Sequence, residues 1–408
     1  MPRSRCVLAT LMKTLTHLCS ICFTLPLLTA AHAALDIPSD GSDGALNITS
    51  NTVIDLSQAV TGVWSNNNSA NAGKGIYDAS KWAVVFKYSA VNIASNATVT
   101  FKNHGSRAPV VWLVSRDVIL NGELSLDGQN ATLDTVNLPE PGPGGFRGGA
   151  ANQQDLGFGG GFGPGGYYDF YGAYQFPVDR AYGNPQIIPL IGGSGGSGST
   201  HCGNVPGANG PGGGGAILIA SSNNIIVNGY CHANGLRGPY CGYVFASGGA
   251  IRLVADQILG AGRIEAVGID GYAGRTRLEA NAASPSLDVN PPTVAVLPTP
   301  LVIWPAASAP TVRVVSVDAH AAPLDPRANI GASGDDLTIS TTSANNIVLQ
   351  TSNFPTNGTV NVYIKPKHSP QSILPASLVS GNSALATWQL QTVLPLSLTV
   401  IQARAVMQ

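Results

Sequence analysis

The chain has 408 residues, of which only 11% are charged, with 49 glycines, 28 prolines and a formal net charge of −1. Ordinary soluble domains carry about 25% charged residues, and a chain with no basic excess is excluded as a nucleic-acid binder by bulk charge. No lysine lies between Lys102 and Lys365, so the surface of that stretch has to be built from backbone, Gly, Ser, Thr and Asn.

In chain order, the first element is a leader. Arg3, Arg5 and Lys13 precede an apolar run from Ile21 to Leu28, and Ala31-His32-Ala33 supplies an A-x-A cleavage site. That run is too short to cross a bilayer, which takes about 20 residues. Residues 1–33 therefore read as a signal peptide, and the remainder as secreted or cell-surface, with no membrane span after cleavage. Three of the six cysteines fall in the leader, leaving Cys202, Cys231 and Cys241. An odd number outside the cell permits one disulfide plus a thiol, or an intermolecular bridge. Asp36, Asp40 and Asp43 lack the spacing of a calcium loop and read as a solvated, flexible N-terminus.

Over 34–280 apolar residues recur at spacing two, the strand period, and glycines interrupt before a helix could complete. Three segments align on their glycines. Val111-Trp112-Leu113 leads through Val118-Ile119-Leu120-Asn121-Gly122 to Leu124-Ser125-Leu126-Asp127-Gly128. With one inserted residue, Ile217-Leu218-Ile219 leads through Ile225-Ile226-Val227-Asn228-Gly229 to Cys231-His232-Ala233-Asn234-Gly235. Ile251-Arg252-Leu253 leads through Ile258-Leu259-Gly260-Ala261-Gly262 to Ile264-Glu265-Ala266-Val267-Gly268. A partial fourth copy starts at Thr276, and a looser early one runs from Val84 to Phe101.

Units this small cannot bury a face alone. Stacking them predicts an all-β fold, a right-handed parallel β-helix, with a β-sandwich of look-alike strands as the competing architecture. Alternation assigns Leu113, Val118, Leu120, Leu124 and Leu126 to the interior, with Ile219, Ile225, Val227, Cys231 and Ala233, and Leu253, Ile258, Gly260, Ile264 and Ala266, as their equivalents. Cys231 is then a buried core thiol. Cys202 and Cys241 precede equivalent strands and form the expected disulfide, with Cys231 and Cys241 as the rival pairing.

An insertion at about 141–215 holds 26 of the 49 glycines and ten aromatic residues. Such a chain can pack as polyproline-II-like segments where only Gly fits, and we read it as a partly ordered loop domain seated on the solenoid. Its rings Tyr167, Tyr168, Phe170, Tyr171 and Tyr174 are candidate binding residues, because flat rings among small residues stack on sugars or fill a partner's pocket. Residues 281–310, rich in proline, read as a semi-rigid linker. The short, regularly spaced strands of 311–408 predict a small immunoglobulin-like sandwich, with Trp388 as its core anchor.

Gly212–Gly229 (GGGGAILIASSNNIIVNG) and Ser247–Gly268 (SGGAIRLVADQILGAGRIEAVG) resemble the glycine-rich coils of secreted bacterial β-helix proteins, including adhesin-type surface proteins. The C-terminal part is similar to bacterial Ig-like modules. The resemblance implies an extracellular role and carries over no functional residue.

Catalytic motifs are absent in context. Gly192-Gly193-Ser194-Gly195-Gly196 matches a nucleophile elbow, but no strand-turn-helix surrounds it. Lys74 lacks the phosphate-loop hydroxyl that should follow it, there is no H-E-x-x-H, and His104, His201 and His232 have no metal-ligand spacing, so no cofactor or metal is expected. His232 and Glu265, and likewise Arg252 and Arg277, take equivalent outward positions that read as solvated decoration. Asp117, Glu123 and Asp127 are the candidate acids; they sit at strand ends or next to Asn-Gly turns, and no comparable cluster appears in the neighbouring coils. The sequence points to a noncatalytic extracellular binding or surface-structural protein whose partner is a polysaccharide or another surface protein. The alternative is a carbohydrate-active enzyme, which requires carboxylates clustered in one groove.

Overall fold

The computed structural model describes residues 35–133, 137–152, 158–166, 168–170, 173–175, 182–199, 207–237, 245–268, 273–298, 300–328, 335–341 and 343–407. Among these the fold is all-β, its only helical turns being the 3-10 segments Leu56–Gln58 and Ser69–Asn71. From residue 83 the chain visits three sheets in a fixed rotation. Ala83–Tyr88 joins the third sheet, Ala90–Ile93 the first and Thr98–Lys102 the second. The rotation repeats with Val110–Val114, Val118–Leu120 and Glu123–Ser125, then Ala216–Ser221, Asn224–Val227 and Tyr230–His232, then Ala250–Val254, Gln257–Leu259 and Arg263–Glu265. Every one of these strands pairs in parallel with its counterpart in the next round.

Alternation sends one side chain in two to a shared interior. Trp112, Val118, Leu120, Leu124, Ile219, Ile225, Val227, Cys231, Leu253, Ile258 and Ile264 belong to one continuous core. Leu113 does not. Ile219 pairs with Trp112 and Ala220 with Leu113, so no residue is inserted between the two copies, and Leu113 lies on the opposite face against Val111, Leu218 and Val254. A one-residue slip in register exchanges the faces of a strand. Gly260 also departs from its expected place, since it follows the strand end at Leu259 with φ +109°. The glycines that gave the alignment have a steric reason: a Cβ on Gly122, Gly229 or Gly262 would lie within 2.3 Å of a carbonyl oxygen of the preceding round.

The stretch read as a linker continues the sheets. Ala282–Ala283, Asp288–Asn290 and Val294–Ala295 pair in parallel with the round before them, and Leu297, Leu301, Ile303 and Trp304 pack on the outer face of the third sheet. Beyond it, Thr311–Val317, His320–Ala321, Ala344–Ser352, Leu385–Val393 and Ser377–Gly381 form a five-stranded antiparallel sheet, and Ser372–Pro375, Thr359–Pro366 and Thr399–Val406 a three-stranded one. Their inner faces share a core in which Trp388 is buried and donates its indole N–H to Thr351 Oγ1 at 2.9 Å. Leu337 and Ile339 pack against this core without forming a strand.

The glycine-rich insertion is ordered through most of its described length. Phe146, Gly149 and Asn152 donate to the carbonyls of Gly193, Gly196 and Ser199. Gly193, Gly196 and Ser199 in turn donate to Gly214, Pro211 and Ala208, and Gly195 and Gly198 to Phe162 and Gly159. Each lateral ladder advances three residues per bond, the period of polyproline II. The segments approach so closely that a Cβ on Gly148, Gly195 or Gly198 would stand 1.9 Å from a neighbouring carbonyl oxygen. Only glycine fits there.

Candidate functional site

The outward side chains of the second sheet form columns that cross its strands. Thr98, Glu123, Tyr230, Arg263 and Asp288 are one register column, and Ser125, His232, Glu265 and Asn290 the next. Because Leu124, Cys231 and Ile264 point inward, their neighbours on both sides must point out.

His232 is the centre of this face. Its Nε2 lies 2.9 Å from Glu123 Oε1 and its Nδ1 2.8 Å from Asp127 Oδ1, the first on the neighbouring strand and the second just beyond its end. Its ring stacks on Tyr230 with centroids 4.1 Å apart. Burial alone would lower the histidine pKa, but hydrogen bonds and charge from Asp127 and Glu123 outweigh it and raise the pKa above its ordinary value. Tyr230 donates to Glu265 Oε2, and Arg263 donates to Glu265 Oε1 at 2.5 Å. Burial, together with donation to Glu265, pushes the Tyr230 hydroxyl up to about 12.

This arrangement corrects one expectation. His232, Glu265 and Arg252 are not solvated decoration: they are 5%, 7% and 1% exposed, and Arg252 is paired with Glu279 at 2.8 Å. The acids Glu123 and Asp127 are joined by His232. Asp117 stays apart and accepts the Asn224 N–H at 3.1 Å. Asp36 is exposed as expected, whereas Asp40 and Asp43 are built in. Asp43 is buried and accepts from the backbone of Gly73 and Lys87, and Asp40 pairs with Lys87 at 3.1 Å. Burial raises the Asp40 pKa, but bonds from Ser42 and Lys87 prevail and hold it at about 2.

Beside Asp127 the same face opens into a cavity of about 470 Å³ lined by Thr100, Lys102, Asn103, His104, Ser125, Asp127, Gln129 and Glu140. Glu140 is gripped by Arg107 at 3.0 Å and by Arg147. Its burial is outweighed by these two guanidinium groups, which keep its pKa below the usual carboxylate range. Lys102 pairs with Asp55 at 2.9 Å. His104 stacks on Tyr77, centroids 4.0 Å apart, and burial lowers its pKa. A larger cleft of about 1260 Å³, with Val312, Val314, Leu396, Phe146 and Phe162 on its walls, lies between the sandwich and the glycine-rich segments.

Of the aromatic candidates, Tyr167 and Tyr171 lie outside the described residues. Tyr168–Phe170 and Ala173–Gln175, which carry Tyr168, Phe170 and Tyr174, pair as a short antiparallel hairpin. Cys202, Cys241, His201 and the leader also lie outside the described residues. Cys231 is a free, fully buried thiol whose pKa burial drives up to about 12. Ser194 sits in the glycine-rich segments, where its Oγ accepts the Gly165 N–H, with no helix behind it. Among the described residues no group of three or more His, Cys, Asp or Glu is disposed to hold a metal ion, and no helix is long and apolar enough to cross a membrane.

No protein-family model, no curated protein and no solved structure matches this chain.

Proposed function

We propose that this is a secreted, noncatalytic, adhesin-like binding protein of the cell surface, and that its contact surface for a polysaccharide is the outer face of the second sheet. In this reading the three parallel sheets are the walls of a right-handed parallel β-helix, and 311–408 is an Ig-like module. The invariant rotation of the chain through three sheets supports the first assignment, and the two antiparallel sheets around Trp388 support the second.

One observation carries the preference for binding over catalysis: the carboxylates on this face are already paired with internal partners. Glu123 and Asp127 both hold His232, Glu265 holds Arg263 and Tyr230, and Glu140 holds two arginines. Glycoside hydrolysis needs a protonated acid facing a second carboxylate across the sugar. Pairing leaves these oxygens turned to their partners, and at Glu140 the two guanidinium groups also keep the carboxyl below its usual range. The enzyme reading rests on the clustering of Glu123, Asp127 and Glu265 around His232, beside a cavity.

A binding screen of the secreted chain on a polysaccharide panel, with product release followed in the same wells, separates the two. Retention without new reducing ends or unsaturated products supports the binding reading. Turnover of any polymer overturns it in favour of the enzyme.

A further inference from the structure

The cavity beside Asp127 carries an inference about ligand chemistry that rests on the binding reading above. Its charged groups are committed in pairs: Lys102 to Asp55 at 2.9 Å and Arg107 to Glu140 at 3.0 Å. Its neutral amides and one oxygen of Asp127 are not. Asn103 Oδ1 is buried with no hydrogen-bond partner, while its amide nitrogen donates to Pro141 O at 2.8 Å. Asp127 uses one oxygen for His232 and the Asn234 N–H, and among the described residues no hydrogen bond reaches its other oxygen. Gln129 accepts the Glu140 N–H at 3.0 Å through its carbonyl, which leaves its amide nitrogen to donate. A buried acceptor without a donor is costly, and a ligand hydroxyl satisfies it.

One ring borders the wall. His104 lines the cavity with its ring stacked on Tyr77, and a flat ring of this kind accepts the C–H face of a pyranose. The volume of about 470 Å³ falls within the ~300–1,000 Å³ range of small-molecule sites.

We propose that this cavity binds a neutral, hydroxyl-rich sugar unit of a glycan, with Asp127 and Asn103 accepting its hydroxyl protons, Gln129 donating to a ring substituent, and His104 beside its plane. An acidic sugar is disfavoured because every cation on the wall is already paired with a carboxylate, so a uronate would face Asp127 and Glu140 without a counter-charge. Burial keeps His104 from serving as one, since it lowers the pKa of that ring.

The test is calorimetric titration of the secreted chain with neutral gluco- and mannotetraose and, in parallel, with tetragalacturonate, at low and at high salt. The inference expects a neutral tetrasaccharide to bind with an affinity that salt does not change. It expects Thr100→Trp, which places a ring in the cavity from an outward position, to weaken that binding by about tenfold or more. Asn103→Ala tests the same site without filling it, and the thermal unfolding of both variants checks that they fold. Binding of tetragalacturonate alone, weakened by salt, overturns the neutral-sugar assignment and leaves the polysaccharide reading standing. Neutral binding that both folded variants retain overturns the site. Failure of every tetrasaccharide to bind overturns this inference, and failure of the polymer panel as well overturns the reading it rests on.

Discussion

His232 shows how a single residue can be misread from a linear pattern. Its outward position on the strand was legible from the alternation around Cys231, but its partners Glu123 and Asp127 lie 109 and 105 residues away. Only the register, which sets Ser125 beside His232, places those two acids on either side of it. The energetic consequence is testable. A histidine whose folded pKa is raised contributes stability that is complete below its unfolded value, near 6.5, and is lost as pH rises through the folded value. His232→Gln is expected to lower stability by about 1–3 kcal/mol at pH 5.5, and the deficit should shrink toward pH 9, as read from urea midpoints across that range. Cys231 was placed correctly by the same alternation. Because it packs between Leu124 and Ile264, Cys231→Ser buries a hydroxyl without a partner and should cost about 1–3 kcal/mol, more than Cys231→Ala, while the native thiol resists labelling until the chain unfolds.

At the scale of elements, the glycine spacing disclosed the repeat, yet it misjudged where the first strand of one copy begins. Val111-Trp112-Leu113 and Ile217-Leu218-Ile219 are equally apolar, and both faces of the third sheet are buried, one in the shared core and one beneath Leu297, Leu301 and Trp304. A strand covered on both sides has no hydrophobic alternation to fix its register. The prolines of 281–310 misled for a related reason, since proline is tolerated at strand edges and turns and here lies between three short strands. The glycine-rich insertion was legible as polyproline-II-like packing from its composition, but its three-residue ladders are formed between segments far apart in sequence. Gly195→Ala, with its new Cβ 1.9 Å from the Arg147 carbonyl oxygen, should cost at least about 3 kcal/mol. Gly62→Ala, whose nearest neighbour would be 3.7 Å away, should stay within about 0.5 kcal/mol. Thermal denaturation of the two variants side by side checks both.

At the scale of the whole molecule, the sandwich is seated on the glycine-rich segments through Lys365. Its ammonium donates to the carbonyl oxygens of Gly161 and Gly163, at 3.3 and 2.7 Å, and the side chain is buried. Burial depresses its pKa from 10.5 to about 7. A lysine whose folded pKa is lowered exacts no cost above its unfolded value and its full cost below the folded one, so this contact strengthens as pH rises from about 7 toward 10.5. Lys365→Met should therefore stabilise the protein by roughly 1–3 kcal/mol at pH 6 and give little gain at pH 10, measured by calorimetric unfolding at the two pH values. Nothing in the sequence singles out Lys365, because its partners are backbone carbonyls of an insertion some 200 residues earlier. The contact surface we assign is testable on the same scale, by hydrogen–deuterium exchange of the secreted chain with and without a polysaccharide that it retains. Protection is expected over 98–105, 123–129 and 230–234, the strands and loops of the second sheet's outer face. Protection confined to 168–175 or to the sandwich at 311–407, with that face exchanging as in the unbound protein, would contradict the assignment.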